Sequence, residues 1–248
     1  MSKKSPEARA RRQARVQQQR EEQRRQQRRR QMTTVGAIVL GLVVVVVGGY
    51  FVISSLDSTG EDAAAPSGVD GYSIMVGEES AGTTIRVYED LQCPACAQFE
   101  AATADDLRQA VDAGAVNLDY RMVSFLDSAS TNDYSSRALN AALVTLDTAG
   151  VDAFRELHDT LYAQQPAEGG DGFTDDELVQ LAVDAGAEES AVRPGIEDKI
   201  YEQWIENATD QMSQDGVNGT PTVFVDGERV EGDPVTAVQE ALAGASAS

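Results

Sequence analysis

The chain has only two cysteines, and both fall in one tetrad, Cys93-Pro94-Ala95-Cys96, where the sequence changes its periodicity. The run before them, TIRVYE, is β-rich, with Ile85, Val87 and Tyr88, and the run after them reads as helix. Pro94 suits the first turn of that helix, where a missing N–H costs nothing and φ is already set. Cys93 is thereby placed at a helix N-terminus, where unpaired N–H groups and the helix dipole stabilise a thiolate. Cys96 follows three residues later, within reach of a mixed disulfide formed at Cys93. This is the layout of a dithiol–disulfide exchanger. Three other readings fit less well. A structural bridge enclosing two residues constrains the unfolded chain very little. Two thiolates with one distant His158 fall short of the four ligands of a zinc site, so no metal or cofactor is expected. Idle thiols would not explain why both cysteines of the chain share one motif.

Charge is unevenly spread. Residues 1–31 hold 12 Lys and Arg against 3 Glu, a net of +9 in a chain of −21, which leaves −30 for the rest. So acidic a remainder lacks the basic footprint of nucleic-acid binding. Segment 1–32 is Arg/Gln-rich, has too few apolar residues to bury a core, and reads as a basic topology signal. Thr33 to Ile53 follows with no charge in 21 residues. As a helix it spans the roughly 30 Å hydrocarbon layer, and it is longer than a signal-peptide core. Twelve basic residues precede this stretch and none occurs from Ser54 to Ile85. The positive-inside rule therefore puts the N-terminus in the cytoplasm and the rest of the chain outside, on a single-pass membrane anchor. Residues 54–70 are small, polar and acidic, as in a flexible tether.

The folded part is expected over 71–244. Tyr72, Ile74 and Val76 alternate as in a strand, and Gly114 ends the helix that begins after Cys93. Val116, Leu118, Tyr120 and Met122 then alternate with Asn117, Asp119 and Arg121, as in a half-buried strand. From about 131 to 212 the period is helical. Phe154, Leu157, His158 and Leu161 share one face, and Ile196, Ile200, Trp204, Ala208 and Met212 form an i, i+4 row. On that pattern His158 is a packed histidine rather than a catalytic base, and Trp204 is core or groove lining. Thr222 to Val225 reads as a strand, Asp226-Gly227 as a hairpin turn, and Asp233-Pro234 as the start of a last helix.

A strand, CPxC at a helix start, a helical block, then Gly219-Thr220-Pro221 leading into TVFVDG and a final helix: this order resembles the DsbA-like thioredoxin-fold oxidoreductases. With the anchor it looks like the forms found in Gram-positive, particularly actinobacterial, envelopes. The resemblance runs from Tyr72 to Gly244. It implies an α/β, thioredoxin-like fold with an inserted helical domain, preceded by one transmembrane helix. By position, Cys93 matches the family's attacking thiol and Cys96 its resolving thiol. Pro221 matches its cis-proline, with Thr220 before it, while Pro94 and Ala95 fill the places between the thiols. A cis bond would leave the Thr220 backbone free to pair with an extended client; the residues alone also allow an ordinary trans proline opening a strand.

Two departures stand out. Ala95 occupies the place where the best-known oxidases carry His, so Cys93 is expected below the free thiol value of ~8.5 but not near ~3.5. Val87 stands where the family often has a buried acid. Glu89 and Asp90 are the nearby carboxylates able to relay a proton, though they read first as solvated strand-end groups. The resemblance implies disulfide exchange with thiol- or disulfide-bearing secreted proteins, net oxidation being the expected direction. It also implies a membrane quinone-linked reoxidant, DsbB-like or vitamin K epoxide reductase-like. A reductase or isomerase would use the same residues, because direction depends on potential rather than identity. A client-binding module with incidental thiols is the remaining reading.

Overall fold

The computed structural model describes residues 63–78 and 80–245. The basic segment, the apolar stretch 33–53 and most of the tether lie outside the described residues. Among the described residues no helix is long and apolar enough to cross a membrane.

Six strands form one sheet: β1 (Val69–Asp70), β2 (Ser73–Val76), β3 (Thr83–Glu89), β4 (Val116–Met122), β5 (Thr222–Val225) and β6 (Glu228–Arg229). Their order is β1-β2-β4-β3-β5-β6. β3 and β4 are parallel and joined by helix α1 (Pro94–Asp112), whereas every other pairing is antiparallel. Gly114, at φ +70°, ends α1 in a conformation that a residue with a Cβ rarely adopts. The β5–β6 turn has positive φ at both Asp226 and Gly227, as a two-residue turn matching strand twist requires. Sheet pairing starts at Val69, slightly ahead of the expected start of the folded part.

Five helices separate β4 from β5: α2 (Tyr134–Ala149), α3 (Val151–Ala163), α4 (Asp175–Asp184), α5 (Glu189–Glu197) and α6 (Glu202–Gln214). Helix α7 (Pro234–Ala245) follows the hairpin, with Asp233 accepting the Thr236 N–H at its start. α1 packs against α3 and α7, and α6 packs against β4. The main core joins Ile85 and Val87 of β3 to Phe99 and Leu107 of α1 and to Phe154 and Leu157 of α3. A smaller cluster of Tyr88, Val123, Met212 and Val217 collects separately, with Phe224 packed on it.

Two expectations change here. β4 is not half-buried: Asn117 and Asp119 are 5% and 2% exposed. The strand lies between β2 and β3 and is covered by helices α1 and α6; Asn117 Oδ1 finds no partner there, whereas Asp119 does. Asp119 accepts from the Ser73 hydroxyl and from both Arg86 and Arg121; despite burial, these donors hold its carboxyl below the usual range. The row from Ile196 to Met212 is not one helix either. Lys199 takes a left-handed φ of +50° between α5 and α6, the Ile200 N–H closes on the Gly195 carbonyl, and Ile200 is left 49% exposed. Trp204 does belong to the core, its ring tilted 58° against that of Tyr72.

The connection from β3 to α1 is held from outside itself. Asp90 is fully buried, and its carboxylate accepts from the Gln92 N–H (2.8 Å), the Leu126 N–H (2.8 Å) and the Ser135 hydroxyl (2.7 Å). One side chain thus ties the turn before Cys93 to the segment leaving β4 and to the first turn of α2. Replacing it would strand two backbone donors and a hydroxyl in the interior. Asp90→Ala is expected to lower unfolding free energy by about 3 kcal/mol or more, each of the three orphaned donors costing about 1–3 kcal/mol. Denaturant unfolding of both proteins checks this.

Candidate active site

Cys93 is the N-cap of α1 and Pro94 its first helical residue. No carboxylate stands in the first turn and no side chain caps it, so the N–H groups there remain open to a sulfur anion. Both cysteines are free thiols. Cys93 is 7% exposed and Cys96 wholly buried, while Pro94 and Ala95 between them are exposed. Across from the helix, the Thr220–Pro221 peptide bond is cis. The Thr220 carbonyl oxygen lies 3.4 Å from Cys93 Sγ and accepts its thiol proton. Residues 127 apart in the chain therefore meet at one sulfur.

The two thiols are pushed in opposite directions. Cys93 is lowered to about 5: hydrogen bonding to the Cys96 thiol is the largest cause and overcomes the opposing effect of burial. The Thr220 side chain and the N–H groups of Cys96 and Ala95 add to the lowering. Cys96 is raised strongly, first by burial, then by donating to Cys93, then by the negative charge of Glu89. The exposed end of the pair carries the thiolate, and the buried end keeps its proton.

Three supports escaped the sequence reading. Gln165, just after α3, donates through Nε2 to the carbonyls of both Leu91 and Cys93, at 3.0 Å each. Gln92 Nε2 donates to the Leu126 carbonyl at 2.8 Å, and Asp90 fixes the loop from within. Nothing local marks these residues, since glutamine next to a helix end is ordinary and the partners are remote.

Glu89 and Asp90 are not solvated. Both are 0% exposed, because the end of β3 runs under α1 and the helical block rather than out to water. Glu89 is two residues beyond Val87 and so shares its face of the strand, one pleat further along. Burial pushes Asp90 up to about 6, against the lowering effect of its three donors. His158 of α3 is packed as expected, at 1% exposed, between Tyr120, Phe154 and Tyr162. Yet it is no apolar filler: Nε2 is 3.0 Å from Glu89 Oε2 and Nδ1 is 3.2 Å from Asp159 Oδ1. Burial disfavours its charged form, but hydrogen bonds to Asp159 and Glu89 prevail and raise it to about 10. Among the described residues, one cluster has ligand types and spacing suited to a metal: Glu89, Glu100 and His158.

This geometry, an acidic thiol at a helix N-terminus facing a cis-proline loop, is that of a thioredoxin-fold redox protein. A family profile described as thioredoxin matches residues 70–243. The solved reduced form of the disulfide bond oxidoreductase DsbG from Mycobacterium tuberculosis is 32% identical, with a TM-score of 0.61, over 72% of this chain and 94% of that one. Reduced DsbA from the same species is 33% identical, with a TM-score of 0.60, over 71% and 98%. The chain belongs to the thioredoxin family and, within it, to the DsbA-like thiol–disulfide oxidoreductases. A stretch of the M. tuberculosis serine/threonine-protein kinase PknE is also 29% identical over 164 residues, which is 63% of this chain but only 29% of the kinase.

A thiolate forming near pH 5 gives a direct signature. Alkylation of the reduced protein at Cys93 should rise with pH through about 5 and be flat above about 6.5, where a free thiol is still mostly protonated. Cys96 should stay unlabelled over that range. Mass spectrometry of each cysteine after timed iodoacetamide treatment checks both statements.

Proposed function

We propose that the protein is a membrane-anchored, extracytoplasmic oxidase that donates the Cys93–Cys96 disulfide to secreted or envelope proteins. The observation that carries this reading is the opposite displacement of the two thiols. A stabilised Cys93 thiolate favours the reduced pair over the disulfide, and that makes the disulfide a strong electron acceptor. In the first step a client thiolate attacks Cys93 Sγ. The Cys93–Cys96 bond breaks, and Cys96 departs with the electron pair and takes up a proton. A second client thiolate then attacks the client sulfur of the mixed disulfide, and Cys93 leaves as its stable thiolate. The client has lost two electrons in forming its own disulfide, and the enzyme pair has gained them. A quinone-linked membrane partner, DsbB-like or vitamin K epoxide reductase-like, would return the pair to the disulfide. Pro94, Ala95, Thr220 and Pro221 form the surface on which the client lies, with the Thr220 backbone pairing with its extended chain.

Cys93 is the attacked sulfur and Cys96 the resolving one. Cys96→Ala is therefore expected to accumulate mixed disulfides with secreted proteins, and Cys93→Ala to trap few or none. In glutathione buffers the wild-type pair should equilibrate well above about −200 mV; a value near −270 mV would mark a reductase instead. Trapping on Cys93→Ala would reverse the two roles.

The location rests on the uncharged stretch from Thr33 to Ile53 and the basic residues before it. Protease added to cells stripped of their wall is expected to digest the redox domain and spare the N-terminal arm. Protection of the domain would reverse the orientation.

A further inference from the structure

Beneath the redox helix, two carboxylates and an imidazole share one enclosed space. Glu89 is 0%, Glu100 4% and His158 1% exposed. They come from β3, α1 and α3, and one ligand atom from each lies within 4.8 Å of the others. The carboxylates are short of donors: both oxygens of Glu100 and Oε1 of Glu89 are buried without a hydrogen-bond partner. Unpartnered buried carboxylate oxygens are costly, and the single charge of His158 balances only one of the two carboxylates.

The histidine is prepared for that group. Asp159 engages Nδ1, and Asp159 is itself paired with Arg108. That contact orients the ring and leaves Nε2 facing Glu89. A carboxylate on the far nitrogen of an imidazole is the usual support of a metal-binding histidine. A cleft of about 260 Å³ between α1 and α3, walled by Glu100, Asp105, Asp159 and Tyr162, supplies an acidic way in.

We propose that Glu89, Glu100 and His158 bind a divalent transition-metal ion of the zinc class, with a water from the cleft as fourth ligand. Once the ion has displaced the imidazolium proton, two carboxylates and a neutral imidazole balance its two positive charges. Mixed nitrogen and oxygen donors, three in number, suit zinc better than calcium or magnesium, which take six or more oxygen ligands. Tetrahedral bonds of about 2.0–2.2 Å place ligand atoms roughly 3.4 Å apart, close to the spacing present here, where the three ligand atoms lie within 4.8 Å of one another. Binding releases any proton held on Nε2. The site does not use the thiols, although Glu89 also acts on Cys96, and its test does not depend on the redox reading.

The test uses the full chain in detergent, stripped with chelator and oxidised, so that neither cysteine offers a thiolate. Zinc is titrated calorimetrically while the ¹⁵N resonances of the imidazole are followed; His158 is the sole histidine in the chain, so the signal is unambiguous. One equivalent should bind, and the Nε2 resonance should shift and saturate with it. Glu100→Gln should weaken binding by more than about 10-fold, the loss an outer-shell partner alone causes. Asp105→Asn at the cleft wall should keep the single site. Weak binding of several equivalents with unmoved histidine resonances would mean only the acidic surface takes zinc, and would overturn the proposal. So would undiminished affinity in a folded Glu100→Gln protein. If that variant does not fold, the histidine resonances of the wild-type protein decide alone.

Discussion

The turn before Cys93 depends on a carboxylate that has no access to water. Where β3 gives way to α1, the backbone leaves the ladder before the helix begins, and its N–H groups need other acceptors. Asp90 supplies one for Gln92, and the same side chain reaches Leu126 beyond β4 and Ser135 at the start of α2. Buried backbone donors must be paired somewhere. Here a single residue pairs them across three segments, which fixes the redox turn against the helical block. Gln165 continues the same work from the other side by holding the Leu91 and Cys93 carbonyls. The active-site loop is thus rigid because its polar groups are committed, and burial of the Asp90 charge, raised to about 6, is part of the cost.

Once that turn is fixed, the difference between the two thiols follows from one turn of helix. Cys93 sits at the open N-terminus, in reach of N–H groups and of the loop carrying Thr220. Cys96 lies under it, screened from solvent, with the charge of Glu89 for company. Field and burial therefore act oppositely on residues only three positions apart. Without His between the cysteines, the Cys93 thiol still falls to about 5, because the neighbouring thiol and backbone N–H groups take over the stabilisation.

The floor of the site is charged as well. Val87 removes the acid from its usual place, and Glu89 brings one back on the same strand face, where His158 of the helical insertion meets it. Burial makes each of these groups dependent on the others, since an isolated charge in such surroundings would simply neutralise. The insertion therefore contributes chemistry to the thioredoxin core as well as shelter, through His158, Asp159 and Gln165.

Local pattern was enough for much of this protein. Pro94 after Cys93 located the helix start, Asp226-Gly227 the hairpin, Asp233-Pro234 the last helix, and the order of motifs the fold. Each depends on backbone preferences or on periodicity within a few residues, which a sequence carries openly. Tertiary structure decided the burial of polar residues. Alternation alone gives Asp119 a water-facing side, but β2, β3 and α6 surround β4; a strand end alone gives Glu89 and Asp90 solvent, but both are buried, paired with His158 and Ser135 of the helical block. The helix break at Lys199 was hidden by an apolar row that continues across it. Gln165 reaches the Cys93 carbonyl from 72 residues away, and no spacing rule connects the two. Periodicity shows which residues share a face, but only the packed chain shows what that face meets.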